Sequence, residues 1–154
     1  MAQDREPIRE GTLDPVNIAS LELAEFHAAD EDKVRWTGAF FSYGDAGSSL
    51  SATIYFAIAP GERLGGHTDT TEETQFIAGG SGELLLDEGS RPMATGDIIV
   101  LPEGTWHDLV NTGDEPLQVI GFFSAPAVNQ HWGDVMLPPN SHVTGSPNAP
   151  TRRL

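Results

Sequence analysis

The residues of this chain best suited to chemistry gather in two places. His67, Asp69, Glu73 and Gln75 sit together in HTDTTEETQ, and His107 follows in GTWHDLVN. The first four share parity, so in an extended segment they project to one side of a sheet. Two imidazoles with one or two carboxylates make a nitrogen–oxygen donor set. That set suits Fe(II), Mn(II), Ni(II), Co(II) or Zn(II) and poorly suits Cu(I). Gln75 could contact a substrate or satisfy a backbone group. Tyr55, Phe40, Trp36 and Phe122 could line a pocket, although aromatic residues in strands are core by default. Trp106 alternates with His107 and so points away from it. His27 reads as a surface residue, and His131, in NQHWGD, as a structural or surface residue that could also close over the site.

The elements that must position these residues are short and β-like. From Arg35 onward, runs of β-branched and aromatic residues are separated by Gly, Pro, Asp and Asn clusters. This predicts strands over 35–43, 50–59, 74–78, 82–87, 97–101, 106–111 and 117–124. A strand roughly every ten residues, with turn chemistry between, signals an all-β sandwich or barrel. No long amphipathic helix is visible, so βαβ architectures fall away. Residues 17–26 read as a short strand or a helical turn. The expected organisation is an N-terminal arm over 1–34 that could lend an exchanged strand, a β domain over 35–138, and a flexible Pro-, Ser- and Asn-rich tail over 139–154.

Composition narrows the function classes. Among 154 residues, 8 Lys and Arg face 23 Asp and Glu, a net charge of −15. Such a surface repels phosphate backbones and anionic lipid heads, which excludes nucleic-acid and membrane-surface roles. No run approaches the ~20 apolar residues of a membrane span. The polar start MAQDREPIRE lacks a signal-peptide core. With no Cys there is no disulfide framework or thiolate chemistry, and a soluble cytoplasmic domain is the expectation. A highly anionic substrate would need compensation from a metal, Arg35, Arg63 or Arg91.

The segments 61–80 and 96–111 resemble the two motifs of the cupin superfamily, G-x5-H-x-H-x3/4-E-x6-G and G-x5-P-x-G-x2-H-x3-N. The second matches at every fixed position: Gly96, Pro102, Gly104, His107 and Asn111. The first matches at Gly61, His67, Glu73 and Gly80 but carries Asp69 where the family has its second His. The resemblance implies a small jelly-roll barrel, the double-stranded β-helix of cupins, often paired as a homodimer. It also implies one divalent metal ion held by His67, Glu73 and His107. Asp69 could be a fourth ligand, could orient a ligand or water, or could face solvent.

The function expected from this resemblance is a mononuclear metal enzyme acting on a small organic substrate. An Fe(II)-type dioxygenase is preferred, with Asp69 and Glu73 as the catalytic carboxylates and Gln75, Tyr55 and Phe40 about the substrate. The alternatives are a metal-assisted isomerase or lyase, a metal-free cyclase using the two histidines, and a non-catalytic small-molecule-binding cupin.

Overall fold

The structure, a computed structural model, describes residues 13–149. Its strands follow the turn chemistry of the sequence and join in one thirteen-stranded sheet. A 3-10 turn, Ile18–Ser20, is capped by the Asn17 side chain and leads into β1 (Ala24–Ala28). Next come β2 (Arg35–Gly44), the two-residue β3 (Gly47–Ser48), β4 (Ala52–Ile58), β5 (His67–Asp69), β6 (Glu73–Gly79) and β7 (Ser81–Leu86). They are followed by β8 (Gly89–Ala94), β9 (Ile98–Leu101), β10 (His107–Val110), β11 (Leu117–Phe123), β12 (Asn129–Leu137) and β13 (Ser141–Gly145). All seven strands expected from the sequence are present, with ends shifted by a residue or two.

The order across the sheet is β8-β7-β10-β5-β12-β1-β2-β4-β11-β6-β9, with β13 on β12 and β3 on β2. Every pairing is antiparallel except the short β2–β3 contact. Alternation along each strand sends one set of side chains inward. Ile54, Phe56 and Ile58 of β4, Ile77 of β6, Leu84 of β7, Leu109 of β10, Val119 and Phe123 of β11, and Trp132 of β12 meet in a single core cluster. The sheet curls enough for β5 and β6, which lie far apart in strand order, to present side chains to the same interior.

The ends of the chain depart from the expected arm and tail. β1 is a sheet strand, paired to β2 through Phe26↔Trp36 and to β12 through His27↔Leu137. Past residue 138 the chain returns as β13, which pairs Thr144 with Gln130. Residues 24–28 and 141–145 thus belong to the sheet, because hairpin pairing satisfies backbone groups that a loose tail would leave to water. Of the expected arm and tail, residues 1–12 and 150–154 lie outside the described residues. Among the described residues, no helix is long and apolar enough to cross a membrane.

Candidate metal centre

The shared parity of His67, Asp69, Glu73 and Gln75 produces a shared interior, but through two strands. β5 carries His67 and Asp69 between β10 and β12, while β6 carries Glu73 and Gln75 between β11 and β9. The three residues 70–72 take the chain from one half of the sheet to the other. On both strands the alternation keeps these side chains buried. His107 opens β10 directly opposite His67. The turn before it is pinned by Gly104, whose N–H donates to the Asp69 carbonyl at 3.0 Å. Gly104 has φ +78°, a conformation that costs a side chain with Cβ extra energy.

The side chains converge on a common point. His67 Nε2 lies 3.7 Å from Asp69 Oδ1, and His107 Nε2 lies 3.6 Å from Asp69 Oδ2 and 3.5 Å from Glu73 Oε1. One donor atom from each of His67, Asp69 and His107 falls within 4.8 Å of the others. Donors bound about 2.1 Å from one ion in a tetrahedral arrangement stand roughly 3.4 Å apart, so the spacing suits a single metal ion. Both oxygens of Asp69 and Nε2 of His107 are buried without a hydrogen-bond partner. Orphaned buried donors are costly in a folded protein unless something binds them.

The neighbours aim these donors. His67 Nδ1 contacts the Gly65 carbonyl and His107 Nδ1 the Thr105 carbonyl, each at 2.9 Å. A carbonyl only accepts, so each Nδ1 carries a proton and each Nε2 presents its lone pair inward. Gly65 is itself held, its N–H donating at 2.8 Å to Oδ1 of buried Asp108, while Asp108 Oδ2 takes Arg63 Nε at 2.8 Å. Trp132 stacks on His67 with ring centroids 4.2 Å apart. Gln75 donates to Glu73 Oε1 at 3.2 Å. Glu73 also needs the bare backbone of Gly121, where a Cβ would collide with its Oε2.

Electrostatics sorts the donors. Burial, reinforced by the charge of His107, holds His67 well below its ordinary pKa against the pull of the Gly65 carbonyl. Burial also pulls His107 down, but Glu73 and then Asp69 outweigh it and leave its pKa raised. Asp69 is held well above the usual carboxylate range, first by burial and then by the Glu73 charge, with the His107 charge and, more weakly, the Gln130 amide opposing.

Of the residues expected around a substrate, Gln75 is fully buried on the inner face. Phe40 also faces inward, half-buried and 6.1 Å in centroid distance from the Phe123 ring. Tyr55 corrects the sequence expectation. It alternates with the inward Ile54 and Phe56 and lies on the outer face of β4, where its hydroxyl donates to Gln118 Oε1 at 2.9 Å. Phe122 is likewise outside and half exposed, whereas Trp36 is core. Trp106 covers Gly66, and His131 is exposed in β12. Asn111 closes a turn, its amide donating to the Ile58 and Glu115 carbonyls at 2.8 Å.

Four neighbours of the site were not singled out from the sequence: Gln130, Trp132, Thr144 and Asp108. Gln130 pairs in register with Asp69, and Trp132 with His67. The parity of NQHWG held this signal, since the two residues flanking an exposed His131 must face the other way. A cleft of about 350 Å³ lined by Gly80, Ser81, Ala94, Thr95, Asp114 and Glu115 lies at the far ends of β6 and β10, away from these donors.

The chain is similar to known proteins in sequence and in fold. Residues 54–123 match the family model described as a cupin domain. A gentisate 1,2-dioxygenase from Ralstonia is 28% identical over 121 residues, covering 76% of this chain but 34% of that protein. This chain therefore spans about a third of that relative's length. Among solved structures, a cupin 2 conserved barrel domain protein from Salinispora arenicola superposes with a TM-score of 0.56 at 24% identity, covering 73% of this chain and 87% of that one. The polyketide cyclase RemF from Streptomyces resistomycificus does so with a TM-score of 0.61 at 18% identity, covering 73% and 79%. At these identities the superpositions speak for the fold alone.

Proposed function

Because the chain belongs to the cupins through its domain at residues 54–123, we propose that it is a mononuclear metal-dependent enzyme acting on a small organic molecule, and specifically an Fe(II)-type dioxygenase. The observation that carries this reading is the set of buried, unpartnered donors on Asp69 and His107 facing His67. His67, Asp69 and His107 would hold the ion, with Glu73 as a further ligand beside His107. Fe(II) is preferred on the resemblance to gentisate dioxygenases; Mn(II), Ni(II), Co(II) and Zn(II) suit the same donors. When bound, such an ion supplies Lewis acidity and, as iron, a redox partner for dioxygen.

The remaining work falls to the chain itself. The Gly65 and Thr105 carbonyls hold both imidazoles in the tautomer that leaves Nε2 free. Gln75 steadies Glu73. Trp132 and Phe123, with the partly buried Phe40 packed against them, supply apolar surroundings in which a polar contact is stronger than in water. A second reading, a metal-assisted isomerase, lyase or cyclase, is favoured by Asp69, whose raised pKa suits a group that takes and returns a proton. We further propose a cytoplasmic homodimer.

Metal analysis of untagged protein purified without chelator, alongside His107→Ala, tests the core of this. The expected result is close to one equivalent of metal in the native chain and about a tenfold or greater loss in the variant. A native chain that holds no metal and refuses added metal under anaerobic conditions would sink the reading. Oxygen consumption during turnover then separates the dioxygenase from the isomerase or lyase, which would turn over anaerobically.

A further inference from the structure

We propose that the molecule received beside His67, Asp69, Glu73 and His107 is an uncharged hydroxylated compound rather than a carboxylate or phosphate, because two carboxylates and the unpartnered Gln75 amide oxygen meet there with no arginine or lysine beside them among the described residues. This rests on the reading that a substrate reacts at that site.

The cations of the chain are few, and their places can be followed one by one. Arg63 is committed to Asp108, with Nη2 and Nε both on Oδ2. Arg35 alternates on β2 with the inward-facing Trp36 and so lies on the outer face. Arg91 is exposed on β8, its guanidinium on the Ser90 carbonyl, and Lys33 is exposed in the loop before β2. Arg5, Arg9, Arg152 and Arg153 lie outside the described residues. Among the described residues, none of the compensating arginines expected from the sequence faces the interior.

The charge balance follows. Asp69 is 4% exposed and Glu73 2% exposed, and together they already offset a divalent ion. An anionic substrate would leave a net negative charge in a buried site with no arginine or lysine among the described residues to pair it, which is heavily penalised. The net charge of −15 also thins anions near the surface before they reach the barrel.

An unpartnered neutral atom asks for a different ligand. Gln75 must point its NH2 group at the Glu73 carboxylate, which only accepts, so its Oε1 faces away and is buried without a donor. A ligand hydroxyl can donate to that oxygen, whereas a carboxylate has nothing to give it. A gentisate dioxygenase is named for an aromatic acid, so on this point the chain would part from its relative.

The test is calorimetric titration of the full chain, loaded with zinc and desalted, with three probes at neutral pH. These are catechol, 3,4-dihydroxybenzoate, and the methyl ester of that acid, which matches the acid in size without its charge. Catechol and the ester are expected to bind, with the acid about tenfold weaker than the ester or worse. An acid that binds as tightly as the ester overturns the proposal and would direct the search for its anchor to the four terminal arginines. Failure of both neutral probes overturns it as well. Zinc content, measured on the same sample, reports separately on the metal reading. If zinc is absent, the ester-to-acid comparison is made on the metal-free chain, where Glu73 and Asp69 still line the site without an arginine or lysine among the described residues.

Discussion

At the scale of single residues, the donor set explains why the site is poised between protons and metal. His67 is held well below its ordinary pKa by burial and by the charge of His107, which favours the neutral ring and its lone pair. His107 and Asp69 are shifted the other way and hold protons more tightly than usual. A metal ion needs all three deprotonated, so binding must displace any proton that Asp69 or His107 retains. The sign follows directly: apparent affinity falls as pH drops through these raised pKa values and levels off above them. Zinc or cobalt affinity, followed by competition with a chromophoric chelator, is expected to weaken about tenfold per pH unit for each proton displaced. An affinity flat from mildly acidic to mildly alkaline pH would mean that the donors are already free of protons. Asp69 shows what a single position can carry. In the sequence its role beside His67 was open among ligand, orienting residue and solvent-facing group. In the structure it is buried between both imidazoles, which excludes the solvent-facing reading.

At the scale of elements, the cupin match ends at residue 123, yet one wall of the site comes after it. The β12–β13 hairpin stacks Trp132 on His67 and sets Gln130 in register with Asp69. These two residues are joined by a directed chain. Trp132 Nε1–H donates to Thr144 Oγ1 at 2.9 Å, and the Thr144 hydroxyl donates to Gln130 Oε1 at 2.8 Å. Indole only donates, so the direction is fixed and the NH2 group of Gln130 is left for the Asp69 side. Thr144→Val preserves shape and orphans two buried groups, a loss of about 1–3 kcal/mol, whereas Thr144→Ser keeps the hydroxyl and should recover most of it. Urea unfolding of the three proteins checks this, and a valine variant as stable as the native chain would contradict the network. The same hairpin shows where the sequence stopped being legible. Strands with alternating apolar residues, such as β4 and β11, were plain. β5 is too short to show a period, β8 buries only Met93, and β12 fills inward positions with Gln130 as well as Trp132, so none carried a clear hydrophobic rhythm. The motif histidines were readable because their spacing lies within single segments. The parity of NQHWG turns Gln130 and Trp132 inward, but that they meet Asp69 and His67 follows only from strand pairing.

At the scale of the whole molecule, the outer face of β11-β6-β9 bears on assembly. Phe76 lies in register with Ile98, and Thr74 with both Val100 and Phe122, so four large apolar side chains form one patch beside the edge strand β9. Ile98, Val100 and Phe122 are 65%, 53% and 51% exposed. An apolar patch along a free strand edge is an aggregation hazard unless something covers it. A second copy of the chain is the simplest cover, and it gives the proposed homodimer a definite surface. Charge sets the conditions under which that dimer forms. Two chains of −15 repel one another, so the contact must be apolar and should tighten as salt screens the repulsion. Light scattering on a sizing column is expected to give twice the mass of the chain at moderate salt, with a shift toward monomer at low ionic strength. Ile98→Glu with Phe122→Glu adds charge to the centre of the patch while leaving the interior donors untouched, and is expected to give monomer at every salt concentration with metal content unchanged. A dimer that survives this pair of substitutions would place the interface elsewhere. A native chain that is monomeric throughout would leave the apolar face to some other cover.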